Sequence, residues 1–281
     1  YKAILEEVGE EVLSILENHG VPLEQCVGVG IGVPGTIDRK KGIVNYSNNI
    51  KWENVNIVEE LGRVIPCPVR IANNADCAAL GEAIEGAGKD YSDVVMFTLG
   101  NGVGGGIILN GKVFEGGMIG GSELGHMVVK ADGLQCSCGR KGCLEAYASV
   151  TALINQTKAA MEAHPESMMN DYAAKHGKVN GRTSFECAKA GDPAAIAVRD
   201  RYIEYVAEGI CSIVNILQPE ILSIGGGISR EGETLLAPIK EYFAHNDYNK
   251  HMKKTDIRIA KLFGDAGIVG AAKTAEAGLG K

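Results

Sequence analysis

Residues 120–145 read GGSELGHMVVKADGLQCSCGRKGCLE, and the rest of the chain is interpreted around this stretch. It holds a histidine and a cluster of cysteines at a spacing suited to a tetrahedral metal ion: His126, Cys136, Cys138 and Cys143. Gly139 and Gly142 permit the tight, partly left-handed backbone that lets neighbouring thiolates face one point. Glu123 and Glu145 lie just outside the two ends of the cluster. The stretch therefore predicts a metal site flanked by carboxylates.

Composition excludes several classes of protein. The chain has 281 residues, 45% of them hydrophobic, but no continuous apolar run long enough to span a membrane. A net charge of −7 argues against a nucleic-acid-binding surface. Eight cysteines in a chain of this length, without a signal peptide, favour a soluble cytoplasmic protein whose remaining cysteines are buried thiols. The sequence begins at Tyr1 without Met, which indicates a fragment, a processed chain or a chain that lacks its beginning.

Hydrophobic periodicity predicts an α/β protein. Helices are expected before Gly20, near residues 57–64 and over 193–217, and strands over 27–33, 69–71, 93–99 and 257–262. Asn110-Gly111 is a strong hairpin signal. A polar stretch from His164 to Arg182 is expected to interrupt the helical region, and the Gly/Ala-rich carboxyl-terminal segment should form a closely packed helix.

Two polar segments are ambiguous when judged from their residues alone. NYSNNIKW, residues 45–52, is predicted to be a loop whose amides suit a hydroxyl-rich ligand, although Asn clusters commonly form turns. Asn73-Asn74-Ala75-Asp76 follows a strand and begins a helix, where polar side chains either contact a ligand or cap the helix.

Two glycine-rich segments also follow predicted strands. GNGVGGG, residues 100–106, has more glycines than a turn needs and can present backbone N–H groups to an anion, although it lacks a Walker lysine. ILSIGGGIS, residues 221–229, is a buried strand that ends in glycines before a helix, which is a second possible backbone cradle.

In this order, the motifs resemble one family. GVGIGVPG, NNADCAALGE, TLGNGVGGGIILNG, GSELGH, CSCGRKGCLE, ILSIGGGIS and GDAGIVGAA are similar to those of the repressor/open-reading-frame/kinase (ROK) family of bacterial sugar kinases and sugar-sensing repressors. The resemblance covers residues 21–278 and is greatest to the glucokinases of that family. The cysteine cluster and its flanking glutamates are its most specific part.

The resemblance implies an actin-like, ribonuclease-H-like fold with two domains and a cleft between them. The smaller domain would comprise residues 1–91, with 265–281 packing back near it, and the larger domain residues 92–264. The amino-terminal hairpin of that fold, with its Asp-x-Gly-Gly-Thr phosphate loop, is missing, because Tyr1 already lies in the first helix. As given, the chain is therefore expected to be impaired as a kinase.

The resemblance also implies roles for individual residues. The family's hexose-contacting positions fall on Gly35, Asn49, Asn73, Asn74, Glu123, His126 and Glu145. Its β/γ-phosphate loop falls on Gly102, Gly104 and Gly105, and its adenosine-side motif on Gly225, Gly226 and Gly227. Its zinc ligands fall on His126, Cys136, Cys138 and Cys143. The implied cofactors are ATP, Mg²⁺ and a structural Zn²⁺ that rigidifies the sugar-binding loop.

The implied reaction is direct phosphoryl transfer from ATP to the 6-hydroxyl of a hexose, with glucose preferred. The catalytic Asp of the family matches Asn74, whose amide binds hydroxyls but accepts no proton at neutral pH. Asn74 is an engineered substitution, a natural change in a non-catalytic sugar binder, or a sign of misalignment, and AALGE argues against the last. Asn101 likewise replaces the usual Thr of the glycine loop.

Two functions of different classes follow. One is an impaired hexose kinase, and the other is a sugar-binding transcriptional regulator whose DNA-binding domain would precede Tyr1. A bare zinc-ribbon interaction module is disfavoured, because the cysteines lie inside a large α/β chain beside two glutamates. The expected partners are a small hexose and copies of the same chain in a homodimer or homotetramer, with no membrane and no nucleic acid bound through this segment.

Overall fold

The computed structural model describes residues 1–47, 49–118 and 120–276. The described chain forms two compact units. The first contains Tyr1–Ser92, Gly106–Ser122 and the described chain from Lys261 onward, and the second contains Asp93–Gly105 and Glu123–Ala260. Residues 106–122, which the sequence-based division assigns to the larger domain, thus group with the first unit.

The elements have the following bounds. The α-helices are α1 (Lys2–Asn18), α2 (Ile57–Gly62), α3 (Asn74–Glu85), α4 (Glu145–Ala148), α5 (Val150–Ala163), α6 (Met168–His176), α7 (Thr183–Lys189), α8 (Pro193–Leu217), α9 (Glu233–Asn246) and α10 (Ala266–Glu276). The strands are β1 (Val29–Val33), β2 (Thr36–Asp38), β3 (Ile43–Ser47), β4 (Trp52–Asn56), β5 (Val69–Asn73), β6 (Val94–Leu99), β7 (Val103–Leu109), β8 (Lys112–Val113), β9 (Ile221–Gly225) and β10 (Asp256–Ile259). Short 3-10 helices cover Leu23–Gln25, Leu124–His126, Gly227–Glu231 and Phe263–Asp265.

The first unit is built on two parallel strands, β1 and β5, with Val29 opposite Val69. Helices α3 and α10 pack together closely, because both present glycines at the contact. A Cβ atom at Gly81 would lie 2.0 Å from the carbonyl oxygen of Ala266, and one at Gly270 would lie 1.8 Å from that of Cys77. The prediction of a closely packing Gly/Ala-rich helix is confirmed.

The segment predicted to be a polar loop, residues 45–52, is only partly a loop: residues 49–51 form a turn, while both ends belong to a small antiparallel sheet. Strand β3 ends at Ser47, β4 begins at Trp52, and the sheet has the order β2-β3-β4. Trp52 is only 9% exposed and lies in the core of the first unit. The strand ends were not predicted, because Asn45 and Tyr46 are exposed and Ser47 is buried, so β3 shows no alternation of apolar and polar residues.

The second unit has a sheet in which β10, β9 and β6 are parallel neighbours in that order. Next to β6 lies β7, which passes into the first unit after Gly105 and forms the predicted Asn110-Gly111 hairpin with β8. Helix α8 has the predicted bounds, Pro193–Leu217. The stretch from His164 to Arg182, expected to be a break, contains helix α6, capped by Ser167 and ended by Gly177 at φ 71°. Among the described residues, no helix is both long and apolar enough to cross a membrane.

Candidate functional site

The predicted metal cluster is assembled in the second unit. The ligand atoms of His126, Cys136, Cys138 and Cys143 all lie within 4.8 Å of one another. The Sγ atoms of Cys138 and Cys143 are 3.7 Å apart, and the Sγ atom of Cys136 is 3.6 Å from Nδ1 of His126. A tetrahedral zinc site, with Zn–S near 2.3 Å and Zn–N near 2.0–2.1 Å, requires S···S and S···N separations of about 3.8 Å and 3.6 Å. The donor set therefore fits a zinc ion.

The backbone of residues 126–143, here called the cysteine loop, is held by its own hydrogen bonds. The N–H of Cys136 donates to the carbonyl oxygen of Arg140 at 2.8 Å, and the N–H of Gly139 donates to that of Cys136 at 3.1 Å. Gly139 and Gly142 have φ values of 91° and 81°, as the sequence predicted. A Cβ atom at Gly142 would also lie 1.8 Å from the carbonyl oxygen of Lys130, so glycine is required there.

The thiols of the cluster differ in acidity. Burial, together with the neighbouring thiols of Cys138 and Cys136, raises the pKa of Cys143 to about 12. The backbone N–H of Arg140 lowers the pKa of the exposed Cys138. A divalent cation would compensate the charge of the deprotonated sulfurs, which couples metal binding to release of their protons.

Glu145 connects the cysteine loop to the glycine-rich segment of residues 100–106. Its Oε2 atom accepts a hydrogen bond of 3.0 Å from the backbone N–H of Val103. Its Oε1 atom accepts one of 3.1 Å from the hydroxyl of Ser137. A Cβ atom at Gly102 would lie 2.4 Å from Oε2, so the missing side chain of Gly102 makes room for the carboxylate. The structure thus brings together Val103 and Glu145, which lie 42 residues apart in the sequence.

The glycine-rich segment is also tied to the start of helix α5. The N–H of Val150 donates to the carbonyl oxygen of Gly100 at 2.8 Å, and the hydroxyl of Thr151 donates to that of Asn101 at 2.8 Å. Gly104 and Gly105 lie within β7 rather than in the loop. A Cβ atom at Gly105 would lie 2.4 Å from Leu124, so this glycine allows close packing.

The second glycine motif lies at the carboxyl end of β9. Gly225 ends the strand, and Gly226, at φ 86°, passes so close to β6 that a Cβ atom would lie 2.3 Å from the carbonyl oxygen of Leu99. Gly227 begins a 3-10 helix and faces open space. The hydroxyl of Ser229 donates to the carbonyl oxygen of Gly226 at 2.7 Å and fixes the turn.

In the first unit, Gly35 and Asn73 are in direct contact. The side-chain amide of Asn73 donates to the carbonyl oxygen of Gly35 at 3.1 Å, and its Oδ1 atom accepts from the N–H of Ala75 at 2.8 Å. Asn73 is therefore the N-cap of α3, while Asn74 is the exposed first residue of that helix. Asn49 is exposed in the turn after β3, next to Asn48, which lies outside the described residues.

Gly35 has a local reason to be glycine. Its φ is 113°, and a Cβ atom would lie 2.3 Å from the carbonyl oxygen of Tyr46.

In the second unit, Glu123 is exposed and precedes the short 3-10 helix that carries His126. Ser137 and Thr151 were not predicted as site residues, because their roles depend on folded contacts, with Glu145 for Ser137 and with Asn101 for Thr151.

Helix α4, which begins with Glu145, is held in place by a hydrogen bond from helix α8. The buried hydroxyl of Tyr202 on α8 donates to the carbonyl oxygen of Ala148 at 2.8 Å. Tyr202 is fully buried, so this hydrogen bond is shielded from water. The carboxylate of Glu145 therefore extends from a rigid support.

Comparison with known proteins decides the family. The sequence profile of the ROK family matches residues 3–277. The chain belongs to the ROK family. As a member, it has the actin-like ATPase fold. That this chain lacks the amino-terminal hairpin of the fold stays a prediction.

Relatives within the family fall into two functional groups. Glucokinase from Thermotoga maritima is 36% identical over 270 residues, which cover 96% of this chain and 84% of that protein. The xylose repressor of Caldicellulosiruptor bescii is 31% identical over 244 residues, covering 87% of this chain and 61% of the repressor.

Solved structures show the same division. A ROK glucokinase from Streptomyces griseus, in complex with glucose and AMPPNP, has a TM-score of 0.83 and 32% identity, covering 97% of this chain and 88% of that one. A ROK transcriptional regulator homologous to the MLC protein of E. coli has a TM-score of 0.84 and 25% identity, covering 98% of this chain and 68% of that one. Fold similarity alone therefore does not separate the two functions.

Proposed function

We propose that the chain is a ROK sugar kinase that binds a hexose, with glucose as the preferred substrate, and transfers the γ-phosphoryl group of ATP to its 6-hydroxyl. The observation that carries the proposal is the environment of Glu145. Its carboxylate is held by the N–H of Val103 in the glycine-rich segment and lies beside the cysteine loop. Similarity to glucokinases along 84% of the Thermotoga enzyme supports the assignment.

In the second unit we assign the binding of hexose hydroxyls to Glu123, His126 and Glu145. Nδ1 of His126 faces Cys136, so this nitrogen would bind zinc and Nε2 would be left for a hydroxyl. The zinc ion, held by His126 and the three cysteines, would supply rigidity rather than chemistry. In the first unit we assign sugar contacts to Gly35, Asn49, Asn73 and Asn74.

ATP with Mg²⁺ would supply the phosphoryl group and neutralise charge as it moves. We assign the phosphate side to Gly102, Gly104 and Gly105 and the adenosine side to Gly225, Gly226 and Gly227. Gly227 fits best, since it faces open space, whereas the space beside Gly102 is taken by the carboxylate of Glu145.

Asn74 would limit the rate of phosphoryl transfer. The amide can donate to or accept from a sugar hydroxyl, but it cannot take the proton as the 6-hydroxyl attacks. Loss of a general base costs roughly 10²- to 10⁴-fold in rate. We therefore propose retained hexose binding and slow phosphoryl transfer.

The second candidate is a sugar-responsive regulator. Asn74 favours it, because a protein that only binds sugar needs no general base, and regulators with this fold are known. In that case the chain would bind the hexose without consuming ATP, inside a longer protein. Assembly as a homodimer or homotetramer is proposed for both candidates from the family resemblance.

Calorimetric titration with glucose, N-acetylglucosamine, mannose and fructose and a coupled ADP-release assay distinguish the candidates. Both are run on the full-length protein, with Asn74 and with Asn74→Asp. Binding by both proteins, with ADP release that is low for the chain and higher for the variant, supports the kinase. Binding by both without ADP release from either supports the regulator. Failure of both proteins to bind any hexose contradicts both.

A further inference from the structure

Ser137 lies between two of the metal-binding cysteines, yet its side chain turns toward Glu145. Its hydroxyl is 3.1 Å from Oε1 of that carboxylate. Gln135, two residues earlier, instead donates to the carbonyl oxygens of Cys136 and Arg140. The cysteine loop thus has one side chain that stabilises the loop itself and another that reaches out of it to Glu145.

The carboxylate of Glu145 is in an electrostatically unfavourable place. Its Oε1 atom is 3.9 Å from Sγ of Cys136. A divalent ion held by three thiolates and a neutral imidazole leaves the cluster with a net negative charge, which repels a nearby carboxylate. Glu145 therefore needs hydrogen-bond donors on the side of the cluster, and Ser137 provides one.

The two donors to Glu145 have different effects on its orientation. The backbone N–H of Val103 fixes Oε2, because β7 holds that N–H in place. With this bond alone, the carboxylate could still rotate about its last side-chain torsion, which has a broad energy profile. The hydroxyl of Ser137 fixes the second oxygen and so determines the plane of the carboxylate.

We propose that Ser137 is a positioning residue for hexose recognition, holding the Glu145 carboxylate in the plane that accepts a sugar hydroxyl. The inference rests on the proposed hexose binding by Glu145. The cysteine loop would then position two side chains for hexose binding, because folding of the loop around the metal places Ser137 as well as His126. Hexose affinity would then depend on metal loading through two side chains.

The test compares three variants of the chain in the zinc-loaded state. Ser137→Ala removes the hydroxyl, Ser137→Thr keeps it, and Gln135→Ala removes hydrogen bonds within the loop but none to Glu145. Zinc content per chain shows whether the cluster still assembles. Glucose affinity is measured calorimetrically. The amide resonance of Val103, assigned in valine-labelled protein by a Val103→Ile variant, reports on the carboxylate directly.

The proposal expects Ser137→Ala to weaken glucose binding about tenfold and to shift the Val103 resonance while retaining zinc. Ser137→Thr should restore both, and Gln135→Ala should leave the Val103 resonance in place. Unchanged glucose affinity and an unmoved resonance in zinc-loaded Ser137→Ala would overturn the inference, as would equal effects from Gln135→Ala. If the parent chain binds no hexose, the proposed function fails, and the Val103 resonance alone decides whether Ser137 positions Glu145.

Discussion

Glu82 offers a sharp test of how the first unit holds helix α3. The side chain is fully buried on α3, and its carboxylate accepts three backbone N–H groups. The N–H of Ala87 lies 2.7 Å from Oε2, that of Lys261 3.1 Å from Oε2, and that of Leu262 2.6 Å from Oε1. One carboxylate therefore joins the end of α3 to the segment that leads into α10.

The expected cost of Glu82→Ala follows from these bonds. Each buried N–H left without an acceptor costs about 1–3 kcal/mol, and water entering the cavity recovers part of that sum. We therefore expect the free energy of unfolding to fall by about 3–5 kcal/mol, in the range typical of a broken buried network. Glu82→Gln keeps one acceptor oxygen, so its loss should be about 1–3 kcal/mol.

Urea unfolding followed by tryptophan fluorescence is a suitable measurement. Trp52 is the only tryptophan of the sequence and lies in the core of the same unit as Glu82. Glu85→Ala is the matched control on the same helix, because Glu85 is exposed and its ion pair with Lys89 is worth only about 0.3–0.5 kcal/mol. A loss for Glu82→Ala no larger than that for Glu85→Ala would refute the reasoning.

Three further outcomes are expected. Asn74→Asp should raise the rate of ADP release roughly 10²- to 10⁴-fold with little change in glucose affinity, and an unchanged rate would contradict the proposed role of this position. Cys138→Ser should lower zinc affinity, measured by chelator competition, by more than roughly 100-fold, because losing a ligand costs more than losing a hydrogen-bond partner of a ligand. Cys187→Ser, outside the cluster, should leave zinc affinity unchanged. Burial alone would raise the pKa of Asp192, but the N–H groups of Ala195 and Met168 and the hydroxyl of Ser167 outweigh it and lower the pKa below 3.8. The stability that Asp192 contributes is therefore present above about pH 4 and lost as the pH falls further, and acid titration of the free energy of unfolding should show a shallower decline in Asp192→Asn.

Much of the metal cluster could be predicted from spacing alone. Cys136, Cys138 and Cys143 are close in sequence, so a short loop with two glycines can bring them together without help from the rest of the fold. Helix α8 could also be predicted from the sequence, because its apolar face persists over 25 residues. Local patterns of this kind predict the structure because the interactions that stabilise it are themselves local.

The antiparallel sheet β2-β3-β4 could not be predicted in the same way. Only Val44 and Ser47 of β3 and Trp52 and Val55 of β4 are buried, so each strand contributes too few inward-facing residues for a clear alternation. Helix α6 was missed for a related reason, since it has only 9 residues and buries only Met169, although the Ser167 cap and Gly177 at its end are recognisable helix signals. The bond from Ser137 to Glu145 has no counterpart in sequence spacing at all.

The local structure does not account for asparagine at position 74. Asn73 already caps α3, so Asn74 is not needed as a cap. A carboxylate in the first turn of a helix is favoured by about 0.3–1 kcal/mol through the helix dipole. Aspartate would therefore suit this place at least as well as asparagine, and nothing in the local structure explains the amide. Under the proposed function the amide would contact a sugar hydroxyl without taking its proton, and Asn74→Asp tests that role directly.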